Sequence, residues 1–394
     1  MEGIWRSKVP GNRRLEQLQA TMNSYIEKNI ARVEANLPVF FGHVTATLDK
    51  TFPNLDDRAY DDFIDAITGT VINATREAPT AEYFEKILRH AMRGKRRKRE
   101  RTTLDVIVAL RLLDAGNYHL ATDYLMRHRN YDGRINAAIA YCYHIQSRAV
   151  NGEQGAQSSD MEIRAREEML YLARSRPPLN RLGVFDRKGT RLNQIFWSMF
   201  DLALTWFPSE SGLYRIGILQ TKHENDLEHR QRLLGHAIKQ FPDNKFFLAE
   251  AFDTCIELRK GSEAAAIVKQ MLQQYPNDHD TLYFGLKLAI LGAQPEPYAN
   301  FRKLAIIKGF PKCPLLLLDT VLEIMCNHKA ASYLCFEEAK KIASARDYYI
   351  TALDYILRDY IDGGEGREIR AKSAFITSVD RYCMRVLKIG EDRL

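Results

Sequence analysis

The chain has 394 residues, 45% hydrophobic and 27% charged, and its 57 Lys and Arg against 50 Asp and Glu leave a net charge of +7. That length and composition suit a chain that buries a large core without disulfide or metal support. The mild positive balance accommodates a nucleic-acid-linked role without demanding one. Membrane and secreted classes drop out: no apolar run approaches the ~20 residues of a span, and the opening Met1-Glu2-Gly3-Ile4-Trp5-Arg6 has no signal-like apolar core. The six cysteines (Cys142, Cys255, Cys313, Cys326, Cys335, Cys383) contain no Cys-x-x-Cys pair, which reads as buried thiols in a reducing compartment, with no metal site and no cofactor.

From the N-terminus, Leu15, Leu18, Met22, Tyr25, Ile26, Ile30 and Val33 recur at helical spacing. They predict one amphipathic helix over 15–37 that Pro38 closes. Further helices are predicted over Asp61 to Asn73 and Ala81 to Met92. The acids Asp56, Asp57, Asp61, Asp62 and Asp65 precede or line the first of these. They lack the glycine and spacing of a calcium loop and read as a charged helix face or a contact for a basic partner.

Lys95, Arg96, Arg97, Lys98, Arg99 and Arg101 place six cations in seven positions. Such a run is expected to stay solvated, as a linker, a nuclear-import address or a phosphate-backbone contact. Beyond it, Gly116-Asn117-Tyr118 with Ala121 and Tyr124 reads as a helix-turn-helix pair. Asn151 to Asp160 reads as a polar loop. A second basic loop, broken by Pro177, Pro178 and Gly183, carries Arg174, Arg176, Arg181, Arg187, Lys188 and Arg191, and all of these but Arg174 could extend a phosphate-facing surface.

Downstream the organisation becomes periodic. Phe207-Pro208, Phe241-Pro242, Tyr275-Pro276 and Phe310-Pro311 lie 34, 34 and 35 residues apart, the period of tetratricopeptide (TPR) helical hairpins. Proline suits the end of each second helix because it supplies no N–H to continue the ladder. Ala264 falls where the two helices of a hairpin meet, while Arg230 and Tyr298 replace the small residue in the adjoining units. Asp362 to Gly366 separates the last two helices. No alternating β pattern is evident, so the expected class is all-α: a TPR-like helical-hairpin repeat superhelix with an N-terminal helical segment. The expected divisions are an N-terminal segment (1–93), a basic linker (94–101), a first hairpin region with loops (102–205), and TPR-like repeats with C-terminal helices (206–394).

Catalytic patterns are missing: there is no phosphate-cradling loop, Gly-x-Ser-x-Gly or His-Glu-x-x-His. The cluster His223, Glu224, Asp226, Glu228 and His229 reads as a solvated polar helix. Trp197, Trp206, Phe207, Phe246, Phe247, Tyr283 and Phe284 read as core rather than a base-stacking platform.

The order of features resembles the A-type subunit of the TATA-box-binding-protein-associated promoter selectivity factor of RNA polymerase I. The features are Gly94-Lys95-Arg96-Arg97-Lys98 before Thr102-Thr103, then Ala121-Thr122-Asp123-Tyr124, then Ile195-Phe196-Trp197 leading to Phe207-Pro208. Asn244 to Gln274 and Tyr275-Pro276-Asn277 with Leu282-Tyr283 follow, so the likeness spans roughly 94–325. It implies a non-enzymatic nuclear and nucleolar scaffold that helps assemble TATA-box-binding protein, the other factor subunits and RNA polymerase I at ribosomal RNA gene promoters. Promoter DNA would be met through the basic loops, and the repeat surface over about 195–325 would hold partner subunits. A generic TPR-type adaptor in another complex explains the same 34-residue period.

Overall fold

The computed structural model describes residues 10–75, 80–97, 101–149, 155–179, 181–185, 189–343 and 347–388. Among them the regular structure is helical, as expected: nineteen α-helices, one short 3-10 turn at Gly183–Phe185 and no strand. The chain divides into two compact units, Met1–Asp226 and Leu227–Leu394.

The first unit contains α1 (Pro10–Ala35), α2 (Leu37–Thr51), α3 (Asp57–Ala74), α4 (Ala81–Arg93), α5 (Thr102–Asp114), α6 (Tyr118–Met126), α7 (Gly133–Ala149), α8 (Gly155–Ser175), α9 (Arg191–Trp206) and α10 (Ser211–His223). The N-terminal pattern departs from the expected single helix in two places, and the first is a kink at Asn29 (φ −128°, ψ 26°) inside α1. Pro38 does not close the first helix; it stands in the first turn of α2, after a break at Asn36. The first turn is where a missing N–H costs nothing, because that donor would have no helical acceptor. Asp56 and Thr80 cap α3 and α4 by accepting from the N–H of Ala59 and Tyr83. One apolar cluster runs from Ile26 through Ile64, Leu88 and Val108 to Ile195, so the core passes straight across the segment read as a linker. The polar stretch read as a loop over 151–160 is helical from Gly155, where α8 begins.

The second unit contains α11 (Leu227–Gln240), α12 (Lys245–Glu257), α13 (Gly261–Gln274), α14 (His279–Leu291), α15 (Pro295–Ile307), α16 (Lys312–Met325), α17 (Lys329–Ile342), α18 (Tyr348–Asp362) and α19 (Glu365–Val386). α12–α13, α14–α15, α16–α17 and α18–α19 pack as consecutive hairpins, a TPR-like arrangement. The repeat is visible in the backbone. Arg259, Ala293 and Asn327 all have positive φ (59°, 47° and 61°). In each case that residue's N–H bonds the carbonyl three residues back, and the next N–H bonds the carbonyl five back. This left-handed C-terminal turn satisfies the helix's last carbonyls. Asn225, at the end of the first unit, makes the same turn with φ 55°, so the set keeps a 34-residue period.

The aromatic–proline pairs mark the other hairpin ends. Phe207, Phe241 and Tyr275 each cap a helix by donating to the carbonyl four residues earlier. The fourth pair sits one residue later because α15 ends differently, in a left-handed turn at Gly309 (φ 73°). The position expected to be small is buried throughout the second unit: Arg230, Ala264, Tyr298 and Ser332. Where it is large, the polar tip finds an acid. Arg230 pairs with Glu257, and the Tyr298 hydroxyl donates to Asp319 at 2.7 Å, where Arg302 also binds.

The last helix does more than complete its hairpin. The Tyr283 hydroxyl and Lys287 of α14 both engage Asp380 of α19, with Lys287 Nζ 2.9 Å away. Phe375 packs edge-on against Phe336 of α17, and Cys383 lies buried beside the Pro314 carbonyl of α16. α19 therefore crosses α14, α16 and α17 as well as its partner α18.

Candidate partner-binding surfaces

The basic segment follows α4 at Gly94, and its described cations are all paired. Lys95 Nζ is 2.6 Å from Asp65 Oδ1, with the two side chains only 1% and 8% exposed. Burial pushes the Asp65 carboxyl above its ordinary range, and Lys95 only partly opposes this. Beside them Asp61 is buried; one of its oxygens accepts from the Arg96 N–H at 3.2 Å, and the other has no hydrogen-bond partner among the described residues. The Arg96 guanidinium donates to Asp49 at 2.6 Å and to the Leu55 carbonyl, and lies 4.1 Å from the centre of the Tyr60 ring. Arg97 donates to Asp57 at 2.6 Å. Arg101 bridges Glu85 at 2.6 Å and Asp105 at 2.9 Å. The hydrogen bond from Arg101 holds the Glu85 carboxyl below its usual range, although partial burial works against it. Lys98 and Arg99 lie outside the described residues.

The basic run is thus paired with acids of its own chain where it is described: Lys95 is enclosed, while Arg96 and Arg97 stay exposed as the sequence led one to expect. Its counter-charges are those of the acidic run. Asp57, Asp61 and Asp65 are spaced by four, one stripe along α3, and that stripe meets Arg97, the Arg96 N–H and Lys95 in turn. A carboxylate stripe in register with a later basic run is the signal that joins the two; taken singly, each pattern reads as surface.

The second basic loop keeps its charged heads outside and its backbone pinned. Arg176, Arg181 and Arg191 are exposed; Arg181 lies over the Tyr131 ring and Arg191 donates to Asp114 at 3.0 Å. Arg187 and Lys188 fall outside the described residues. Beneath the loop, Asp132 and Arg134 are fully buried and doubly bonded, at 3.0 and 2.9 Å. Asp132 also accepts the N–H groups of Arg181 and Leu182, while Arg134 donates to the carbonyls of Leu182 and Phe185 and to Asn193. The network continues from Asn193 to Gln220, Glu224 and the Trp197 indole N–H. Glu224, grouped with two histidines in the sequence, therefore serves as an acceptor for Gln220 and Trp197. Among the described residues no ion pair or hydrogen bond joins the two basic segments.

Two grooves offer apolar surface to a partner. In the first unit, a groove of 520 Å³ between α1 and α2 is lined by Met22, Tyr25, Val39 and Phe40, with Arg32 and His43 among its polar residues. In the second, a groove of 720 Å³ between α17 and α18 is lined by Ala330, Tyr333, Leu334 and Ile361 and edged by Lys329, Arg358 and Asp362. Leu334 is 66% exposed, and Tyr348 and Tyr355, at 81% and 70%, precede Asp362 at seven-residue steps along one face of α18. Seven residues are close to two helical turns, so this tyrosine stripe runs into the groove edge. Neither groove was legible in the sequence: Met22 and Tyr25 read as parts of one amphipathic stripe, and no pattern sets Tyr333, Leu334 or Ile361 apart.

Of the expected aromatic stripe, Phe246, Phe247, Tyr283 and Phe284 are buried core, and Trp197, Trp206 and Phe207 are half-buried.

No protein-family model matches the chain, and no curated protein matches it. Among solved structures, yeast Tom70 aligns over 96% of both chains, with 10% identity and a TM-score of 0.34. That likeness is too slight to carry an argument; the helical-hairpin fold rests on the turns and helix pairs described above. Among the described residues no helix is long and apolar enough to cross a membrane.

Proposed function

We propose that this chain is a non-enzymatic scaffold that holds segments of partner proteins against its helical hairpins. The observation that carries this reading is the α17–α18 groove and its tyrosine stripe. It leaves Leu334, Tyr348 and Tyr355 in solvent on a unit whose other large apolar residues are mostly buried. Helix-lined apolar grooves with polar edges suit amphipathic partner segments, and contiguous exposed apolar surface commonly marks an interaction site.

The finer reading is a component of the RNA polymerase I promoter selectivity factor, in the class of its A-type subunit. What supports it is the order of sequence features over 94–325. On this reading the chain works in the nucleus and nucleolus, joins TATA-box-binding protein and the other factor subunits, and helps recruit polymerase I. Promoter DNA would be met through cations of the basic segments. The test is affinity capture of the tagged chain from nuclear extract with mass spectrometry, run beside a Leu334→Glu variant. TATA-box-binding protein and polymerase I factors, reduced in the variant, are the expected result. A different stable complex lost in the variant would leave the scaffold and remove the polymerase I assignment. No partner sensitive to the groove would remove both.

A further inference from the structure

Lys95, Arg96, Arg97 and Arg101 belong to the densest run of positive charge in the chain, yet the surrounding helices already supply their counter-ions. Asp49 comes from α2, Asp57 and Asp65 from α3, Glu85 from α4 and Asp105 from α5, and Asp61 of α3 accepts the Arg96 backbone N–H. A cation already held by a carboxylate has less left for a phosphate, because a second anion must first displace the carboxylate. Arg96 is also held from beneath by the Tyr60 ring and the Leu55 carbonyl. The segment is not uniformly locked. Lys95 is enclosed, whereas Arg97 is 72% exposed and its partner Asp57 35%. Asp49, which holds Arg96, is 55% exposed. The pairs on Arg96 and Arg97 therefore lie at the surface, where exposed ion pairs hold weakly.

We infer that Asp49 of α2 and the acidic stripe of α3 mask the basic segment in the folded chain, so that its contact with a nucleic-acid backbone is latent until Arg96 and Arg97 leave Asp49 and Asp57. This rests on the reading of the segment as a phosphate contact. Lys95 with Asp65 anchors the segment, and Arg96 and Arg97 are the part that exchanges carboxylates for phosphates. The exchange needs no unfolding of α3, whose cap is Asp56 and which stays held by Phe63, Ile64, Ile67 and Val71 and by the Lys95–Asp65 pair.

The test is fluorescence anisotropy of the full chain with a short labelled duplex of random sequence over a salt series. Four chains form a cycle: wild type, D49N/D57N, R96A/R97A, and all four substitutions together. E16Q/E296Q, two exposed glutamates, is the charge-matched control. Asn keeps the shape of each acid, and unchanged far-UV circular dichroism and melting verify the fold. Unmasking two cations is expected to tighten binding about tenfold at low salt and to steepen the salt slope by about two. R96A/R97A is expected to abolish that gain in the D49N/D57N chain, while barely changing wild type. If R96A/R97A weakens wild type as strongly as it weakens D49N/D57N, or if E16Q/E296Q gains as much, the cations are not masked and the proposal fails, with the phosphate-contact reading intact. If no chain binds duplex through Arg96 and Arg97, that reading fails and the masking with it.

Discussion

Arg134 and Asp132 sit without solvent exposure under a loop rich in proline and glycine, and between them they hold four of its backbone groups as well as Asn193. Removing one member of such a pair leaves the other charge buried and unpaired. Arg134→Met is therefore expected to lower the stability of the first unit by about 3–5 kcal/mol. Tryptophan fluorescence is the measurement, since Trp197 and Trp206 belong to that unit. Glu85 supports a prediction in pH. Arg101 lowers its pKa from the ordinary 4.5, so the charged form stabilises the fold above that value. The contribution falls away as pH drops through the lowered folded pKa. Urea midpoints for wild type and Glu85→Gln should differ at neutral pH and converge in acid; a difference that persists in acid would assign the loss to packing. Neither site was legible as such in the sequence. Asp132 and Arg134 are two residues apart in an unremarkable stretch, and what buries them is a loop about 50 residues later.

The hairpin turns repeat a strained conformation without always using the residue that suits it. Asn tolerates the left-handed region at 225 and 327, but Ala293 and Arg259 hold φ of 47° and 59° with a β-carbon present. Ala293→Gly is expected to raise local stability by about 0.5–1 kcal/mol. Hydrogen exchange across the α14–α15 turn measures it, and unchanged or faster exchange would contradict the assignment of strain. Gly212 shows the opposite demand. A β-carbon there would stand 2.4 Å from the Ala173 carbonyl oxygen of α8. Gly212→Ala should therefore force α8 and α10 apart and cost about 1–3 kcal/mol, again read by tryptophan fluorescence.

Much at this scale was legible. Aromatic–proline pairs gave the period because the same pair recurs just past the end of each hairpin's second helix, and Ala264 marked the close contact inside a hairpin. The left-handed turns were hidden, since Arg and Ala are not residues that announce them. Pro38 misleads because proline opens helices as readily as it ends them, and only the chain's path distinguishes the two.

At the scale of the molecule the two units differ in construction. The first is a set of helices whose core runs across the basic segment, with buried charge pairs fixing its connections. The second is a run of hairpins in regular register, with Leu334, Tyr348 and Tyr355 exposed on α17 and α18 and further exposed apolar side chains at Ile307 of α15 and Ile369 of α19. Leu334→Glu is expected to leave the melting temperature of the chain unchanged, since that side chain is 66% exposed and surface changes usually stay within about 0.5 kcal/mol. The same change should abolish co-purification of any partner that uses the groove. A lowered melting temperature would assign Leu334 to the fold instead.

α19 has 22 residues, a length of about 33 Å at the usual helical rise, and it ties α14 to its own hairpin across 97 positions of sequence. An array whose members touch only their neighbours grows or shrinks by whole repeats at little cost. Here a brace of fixed length spans the series, so an added or deleted hairpin between α14 and α18 would pull Asp380 out of reach of Tyr283 and Lys287. The number of hairpins from α14 onward is therefore matched to the reach of the last helix, and a change in one calls for a change in the other.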